Sequence, residues 1–118
     1  MPPPPRRSAK TSSGAPPPLS KRRLESLIEE ATVDAYGEAE QAGSFFVVLE
    51  EHLELPFSTT ILGVEAIVKK IDLTEAGDIV AVCHRGKTRQ RILLLDLPLP
   101  SPPPAGAEWI EAYRHWQQ

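Results

Sequence analysis

Apolar residues recur at two different periods along this chain, and the change of period near residue 56 separates a helical first half from a β-rich second half. After Ser20, a residue suited to capping a helix, Leu24, Leu27, Ile28 and Ala31 repeat at three- and four-residue spacing, which predicts an amphipathic helix of about 11 residues. Residues 33–36 predict a break: Thr32 and Val33 are β-branched, Asp34 favours cap positions, and Gly37 weakens a continuous helix. A second helix follows to about Leu53 and stops ahead of Pro56, because the residue before a proline is pushed out of the helical region. At about 100° per residue, Ala42, Phe45, Phe46, Leu49 and Leu53 share one side of it, with Glu40, Ser44, Val47, Glu51 and Glu54 opposite. Glu38 falls inside the apolar stripe, where a carboxylate is costly unless protonated, hydrogen-bonded or held by a positive centre. The structural alternative is that the free N–H groups of the helix start tolerate it.

From residue 57 the period shortens. Residues 57–62, 66–73, 79–85 and 88–95 read as strands, punctuated by Gly63, by Ala76-Gly77-Asp78 and by Arg85-Gly86-Lys87. Both alternating sets of the third strand are apolar (Ile79, Ala81 and Cys83 against Val80 and Val82), which predicts cover on both faces. The second strand does not alternate cleanly across Lys69-Lys70-Ile71, and its inward face is open on this pattern. The extended run 96–104 excludes helix and central strand. A final helix from about Ala107 sets Trp109, Ile110, Tyr113 and Trp116 on one side, a stripe that suits either its own core or a partner.

Residues 1–20 hold seven of the 13 prolines and a single leucine, too little apolar surface to offset chain entropy, so they read as a disordered basic tail. The predicted organisation is therefore a tail over 1–20, a helix pair plus small barrel over 21–100, and a Pro-rich connector with the Trp-bearing helix over 101–118. The lone Cys83 makes no internal disulfide, and no apolar run is long enough to span a bilayer or serve as a signal core. The expectation is a soluble, cytoplasmic protein without a membrane partner.

Charge changes the picture most. Residues 24–68 carry ten carboxylates (Glu25, Glu29, Glu30, Asp34, Glu38, Glu40, Glu50, Glu51, Glu54 and Glu65) and neither Lys nor Arg. Beyond the first 23 residues the chain holds 7 basic against 16 acidic residues, a balance of −9. Folded surfaces usually interleave charge signs, so this repulsion calls for solvent and salt, a basic partner, or a cation with oxygen ligands. Glu50 and Glu54, four apart on one helix, repel by a few tenths of a kcal/mol with no nearby cation. Calcium takes about six to eight oxygens, more than one helix face supplies. Asp34 at the break and Glu38 one turn on can converge from one side, and Glu50 and Glu51 can join them only where the fold brings them close.

Other chemistries fit poorly. Asp72 to Asp78 starts like an EF-hand loop but has Cys83 where the bidentate glutamate belongs. His52, His84, His115 and Cys83 lack zinc spacing, a Cys in an apolar strand is a poor nucleophile, and no glycine-rich phosphate loop is present, so no enzyme is predicted. Arg85, Lys87, Arg89 and Arg91 form a basic hairpin without interleaved aromatics. In an acidic body it reads as pairing with the protein's own carboxylates rather than with nucleic acid.

The runs Val33-Asp-Ala-Tyr-Gly-Glu-Ala-Glu-Gln-Ala-Gly and Leu49-Glu-Glu-His-Leu-Glu-Leu-Pro-Phe, with Asp78-Ile-Val-Ala-Val-Cys-His-Arg-Gly and Leu93-Leu-Leu-Asp-Leu-Pro-Leu, resemble the CcbP-like calcium-binding family of cyanobacterial type. The likeness spans residues 24–99. It implies an α+β fold with two N-terminal helices packed on an SH3-like β-barrel, joined here by the short C-terminal helix, and a non-EF-hand calcium buffer or sensor in the cytosol. It also implies Ca²⁺ ligand roles for Asp34, Glu38, Glu50 and Glu51. The alternative function is an adaptor that holds a basic protein partner through the acidic helix and the Trp109/Trp116 helix.

Overall fold

The computed structural model describes residues 19–118, and the expected tail, apart from its last two residues, lies outside the described residues. Helix α1 (Lys21–Ala31) begins where Ser20 Oγ accepts the Arg23 N–H at 3.1 Å, satisfying one of the free donors of the first turn. It ends at Thr32, whose hydroxyl donates back to the Ile28 carbonyl. Asp34 then adopts a left-handed conformation, φ 64°, which turns the chain toward Gly37, the residue that opens helix α2 (Glu38–His52). Gly37 has no side chain to cap the helix, and the Glu40 carboxylate reaches back to the Tyr36 N–H instead.

Four strands follow, β1 (Phe57–Ile61), β2 (Val64–Leu73), β3 (Ile79–Arg85) and β4 (Thr88–Leu93), paired antiparallel in the order β1-β2-β3-β4. The expected SH3-like barrel is not closed, for β1 and β4 remain the two edges of an open sheet. The chain beyond β4 first makes a 3-10 turn over Leu94–Asp96, which ends the fourth strand two residues before the expected limit. It then passes β1, where the Thr59 hydroxyl donates to the Pro98 carbonyl. Pro98 and Pro100 have no N–H to offer, so this segment lies against the edge without adding a ladder.

A bulge between Val68 and Lys70 resolves the irregular second strand. Ala66 and Val68 face the core before it and Ile71 after it, so the extra residue shifts the inward phase from even to odd positions. Strand β3 is buried from Ile79 to Cys83 on both faces, as its unbroken apolar pattern predicts.

Helix α3 (Ala107–Gln117) completes the core. The Phe45 ring sits 5.6 Å from Tyr113 and 5.3 Å from Trp116, and Trp109 stacks on His52 at 5.3 Å. Trp116 Nε1 donates to Gln41 Oε1 at 3.0 Å, which satisfies the polar end of a largely apolar ring. These contacts join Leu27, Leu49 and Ile110 to Val68, Ile71 and Ala81 of the sheet in one cluster. The connector is fixed at the same end: Glu54 donates its N–H to the Ala105 carbonyl at 2.8 Å, and Gly106, φ 89°, lies so close to α2 that a Cβ would overlap the His52 carbonyl.

Gly106→Ala meets both the strain and the overlap, and is expected to cost at least about 2 kcal/mol, read as a lower urea midpoint by tryptophan fluorescence. An unchanged midpoint would show that α3 does not need this close approach. Leu62 is the opposite case: it is 97% exposed with φ 50° in the β1–β2 turn. Leu62→Asn, which tolerates that conformation, is expected to raise stability by up to about 1 kcal/mol.

Candidate functional site

The helices and turns place the acids in solvent. Asp34, Glu38, Glu50 and Glu51 are all exposed, and none makes a side-chain hydrogen bond or ion pair among the described residues. The expected position of Glu38 within the apolar stripe is corrected: buried α2 residues begin at Ala42, one turn later, and Glu38 projects from the first turn. There an acid meets free N–H groups and the positive end of the helix dipole.

These four carboxylates do not form one centre. Glu38 and Glu50 lie at opposite ends of an unbroken helix, and its 1.5 Å rise per residue sets them about 18 Å apart. Two glutamates sharing one calcium, with metal–oxygen distances of about 2.4 Å, cannot span that length. Among the described residues no group of three or more His, Cys, Asp or Glu side chains is assembled to hold a metal ion.

Six of the acids line two grooves near the start of α2. The larger, of about 890 Å³, lies between α2, the β2–β3 turn and the end of α3, and Glu38, Glu75 and Asp78 line it with Gln41 and Gln118. The turn is well braced, since Thr74 accepts from the Gly77 N–H through its carbonyl and from the Asp78 N–H through its hydroxyl, both at 3.0 Å. The smaller groove, of about 460 Å³, lies between α1 and α2 and carries Glu30, Asp34 and Glu40. Glu75 and Asp78 escaped notice in the sequence because residues 72–78 fail as an EF-hand loop. Only the packing of that turn across from α2 gives them company.

Other acids have structural partners. Glu40 braces the helix start, Asp72 pairs with Arg91 at 3.3 Å, and the Glu54 carboxylate accepts from the Ala105 N–H. Glu111 pairs with Arg114 at 3.8 Å within α3. Of the basic hairpin only Arg91 finds a carboxylate among the described residues, which corrects the expectation that Arg85, Lys87 and Arg89 do so as well. The acidic helices pack on the other face of the sheet, out of reach of Arg89.

Two further sequence readings meet the structure here. Trp109 and Tyr113 are buried within the chain's own core, so the aromatic stripe of α3 is not free to grip a partner. Cys83 is buried, and desolvation raises its thiol pKa above the ordinary value, which keeps it protonated. No helix among the described residues is long and apolar enough to cross a membrane.

No protein-family model matches the chain, and no curated protein matches it. Its fold is shared with solved structures. The crystal structure of CcbP from Anabaena gives a TM-score of 0.64 over 84% of this chain and 92% of that one, at 18% sequence identity. A calcium-binding protein in its calcium-binding form gives 0.60 over 82% and 88%, at 20% identity. The fold of the chain is CcbP-like.

The buried thiol yields a direct check. Burial also raises the Tyr113 hydroxyl pKa, so both groups stay protonated in the fold after their unfolded counterparts ionise. Their contribution to stability is full below the unfolded pKa values and is lost as pH rises through the folded ones. The melting midpoint should therefore fall on the alkaline side, and a chromogenic disulfide reagent should label Cys83 at neutral pH only as fast as the fold opens. Immediate stoichiometric labelling would contradict the burial.

Proposed function

We propose that the chain binds calcium at the N-terminal end of α2, with Glu38, Glu75 and Asp78 as the carboxylate ligands and Asp34 in the adjoining groove. The observation that carries this reading is that acids of α2 and of the β2–β3 turn, without ion-pair partners among the described residues, line one groove from its two sides. It sits within a fold shared with Anabaena CcbP and with a protein described as calcium-binding in its calcium-binding form. The donor chemistry fits: all the side-chain charges lining the groove are hard carboxylate oxygens, Gln41 and Gln118 add amide oxygens, and no sulfur or imidazole competes.

Calcium, when bound, would supply the positive charge that the stretch 24–68 lacks. Glu38 faces it from a helix start, a rigid position, while Glu75 and Asp78 come from a turn held by Thr74. Glu50 and Glu51, too distant to share the ion, add to the negative potential that concentrates cations near this surface. The role is cation binding as buffer or sensor in the cytoplasm, where a single free thiol is at home.

Thermal melting in calcium, in magnesium at matched ionic strength and in chelator tests it. Calcium at a hundred times its dissociation constant is expected to add about 2.7 kcal/mol of stability, by preferential binding to the folded state. Glu38→Gln combined with Asp78→Asn should abolish that gain, whereas Glu50→Gln should leave it intact. Superimposed melts in calcium and chelator would overturn the proposal.

A further inference from the structure

Two surface patches in different layers of the molecule carry charges of opposite sign. On the outer face of the sheet, Lys70, Val82 and Arg91 stand side by side in register across β2, β3 and β4, with Asp72, Val80 and Leu93 in the next row. The Arg91–Asp72 pair reaches over β3, and Val80 and Val82 are buried beneath this face yet belong to no part of the helix-covered core. Ile67 and Leu93, 40% and 46% exposed, extend the apolar surface. Lys70 and Arg89 on the same face have no ion-pair partner among the described residues.

The second patch is the groove between α1 and α2. Ala31, Val47 and Val48 line it with Glu30, Asp34 and Glu40, and Val33, 66% exposed, lines it as well. Four of the seven exposed large hydrophobics among the described residues, Val33, Val47, Ile67 and Leu93, thus fall in these two patches, beside charges that lack an ion-pair partner there. Since helices cover only the inner face of the sheet, the basic patch and the acidic groove cannot reach each other within one copy.

We infer that the chain self-associates head to tail, the basic sheet face of one copy seating in the acidic α1–α2 groove of the next. The occupant of each patch is a second copy because the surface of complementary charge, Lys70 and Arg89 against Glu30, Asp34 and Glu40, is present on every molecule. Unlike patches make the contact heterologous, so it extends to further copies instead of closing into a two-fold dimer. Each patch is small and its rim is solvated, so the association is weak and responds to salt. The inference does not depend on a metal.

Sedimentation equilibrium of the full chain in chelator tests it, over a concentration series at about 0.01 M and about 1 M salt, where the screening length is about 30 Å and about 3 Å. The expected result is a weight-average mass that climbs with concentration toward twice 13.0 kDa and beyond at low salt, and stays at one chain at high salt. Lys70→Glu/Arg89→Glu and Glu30→Lys/Glu40→Lys should each remain single chains, and a mixture of the two should associate again. Folding of each variant is confirmed by its melt. A wild-type chain that stays monomeric at low salt overturns the inference, as does association that survives both double reversals. A monomeric wild type that binds a duplex oligonucleotide through Lys70 and Arg89 also overturns it, and gives that face to a polyanion.

Discussion

Like-charge repulsion among carboxylates is the constraint that the rest of this structure accommodates. Two unit charges about 6 Å apart cost roughly 0.7 kcal/mol in bulk water, and several times that once water is excluded. Ten acids in a stretch without a cation are tolerable only if nearly all face solvent, and that is where the fold puts them: Asp34, Glu38, Glu50 and Glu51 are exposed and have no ion-pair partner among the described residues. The apolar side of the ledger is gathered elsewhere, around Phe45, Tyr113 and Val68, so that the helices can show an acidic surface without burying one.

That apolar scaffold also decides which acids become neighbours. Helix α3 docks on α2 through Phe45, Trp116 and Gln41, and the β2–β3 turn lies across from the start of α2. Glu38 therefore lines one groove with Glu75 and Asp78, which are distant in sequence, and not with Glu50 and Glu51, which share its helix. A single straight helix separates its own two ends more effectively than any loop.

Much of the secondary structure was legible because its signals are local. Ser20 as a cap, the spacing of Leu24, Leu27 and Ala31, the stop before Pro56 and the unbroken apolar run of β3 each act within a few residues, and each lies where expected. What was illegible depends on long-range packing. The inward face of β2 hinged on a bulge that no composition reveals, and barrel closure failed because the segment passing β1 carries Pro98 and Pro100 where a fifth strand would need N–H groups. The site suffered most: acids four apart on a helix are visible in sequence, but acids facing one groove from different elements, such as Glu38 and Asp78, are not.

The most direct measurement is a titration of the isotopically labelled chain with calcium, followed residue by residue through amide chemical shifts. Amides of residues 37–41 and 74–78 are expected to shift together and saturably, while those of residues 50–51 stay still. Shifts spread evenly over every acidic segment without saturation, or none at all, would contradict a cation site at the start of α2.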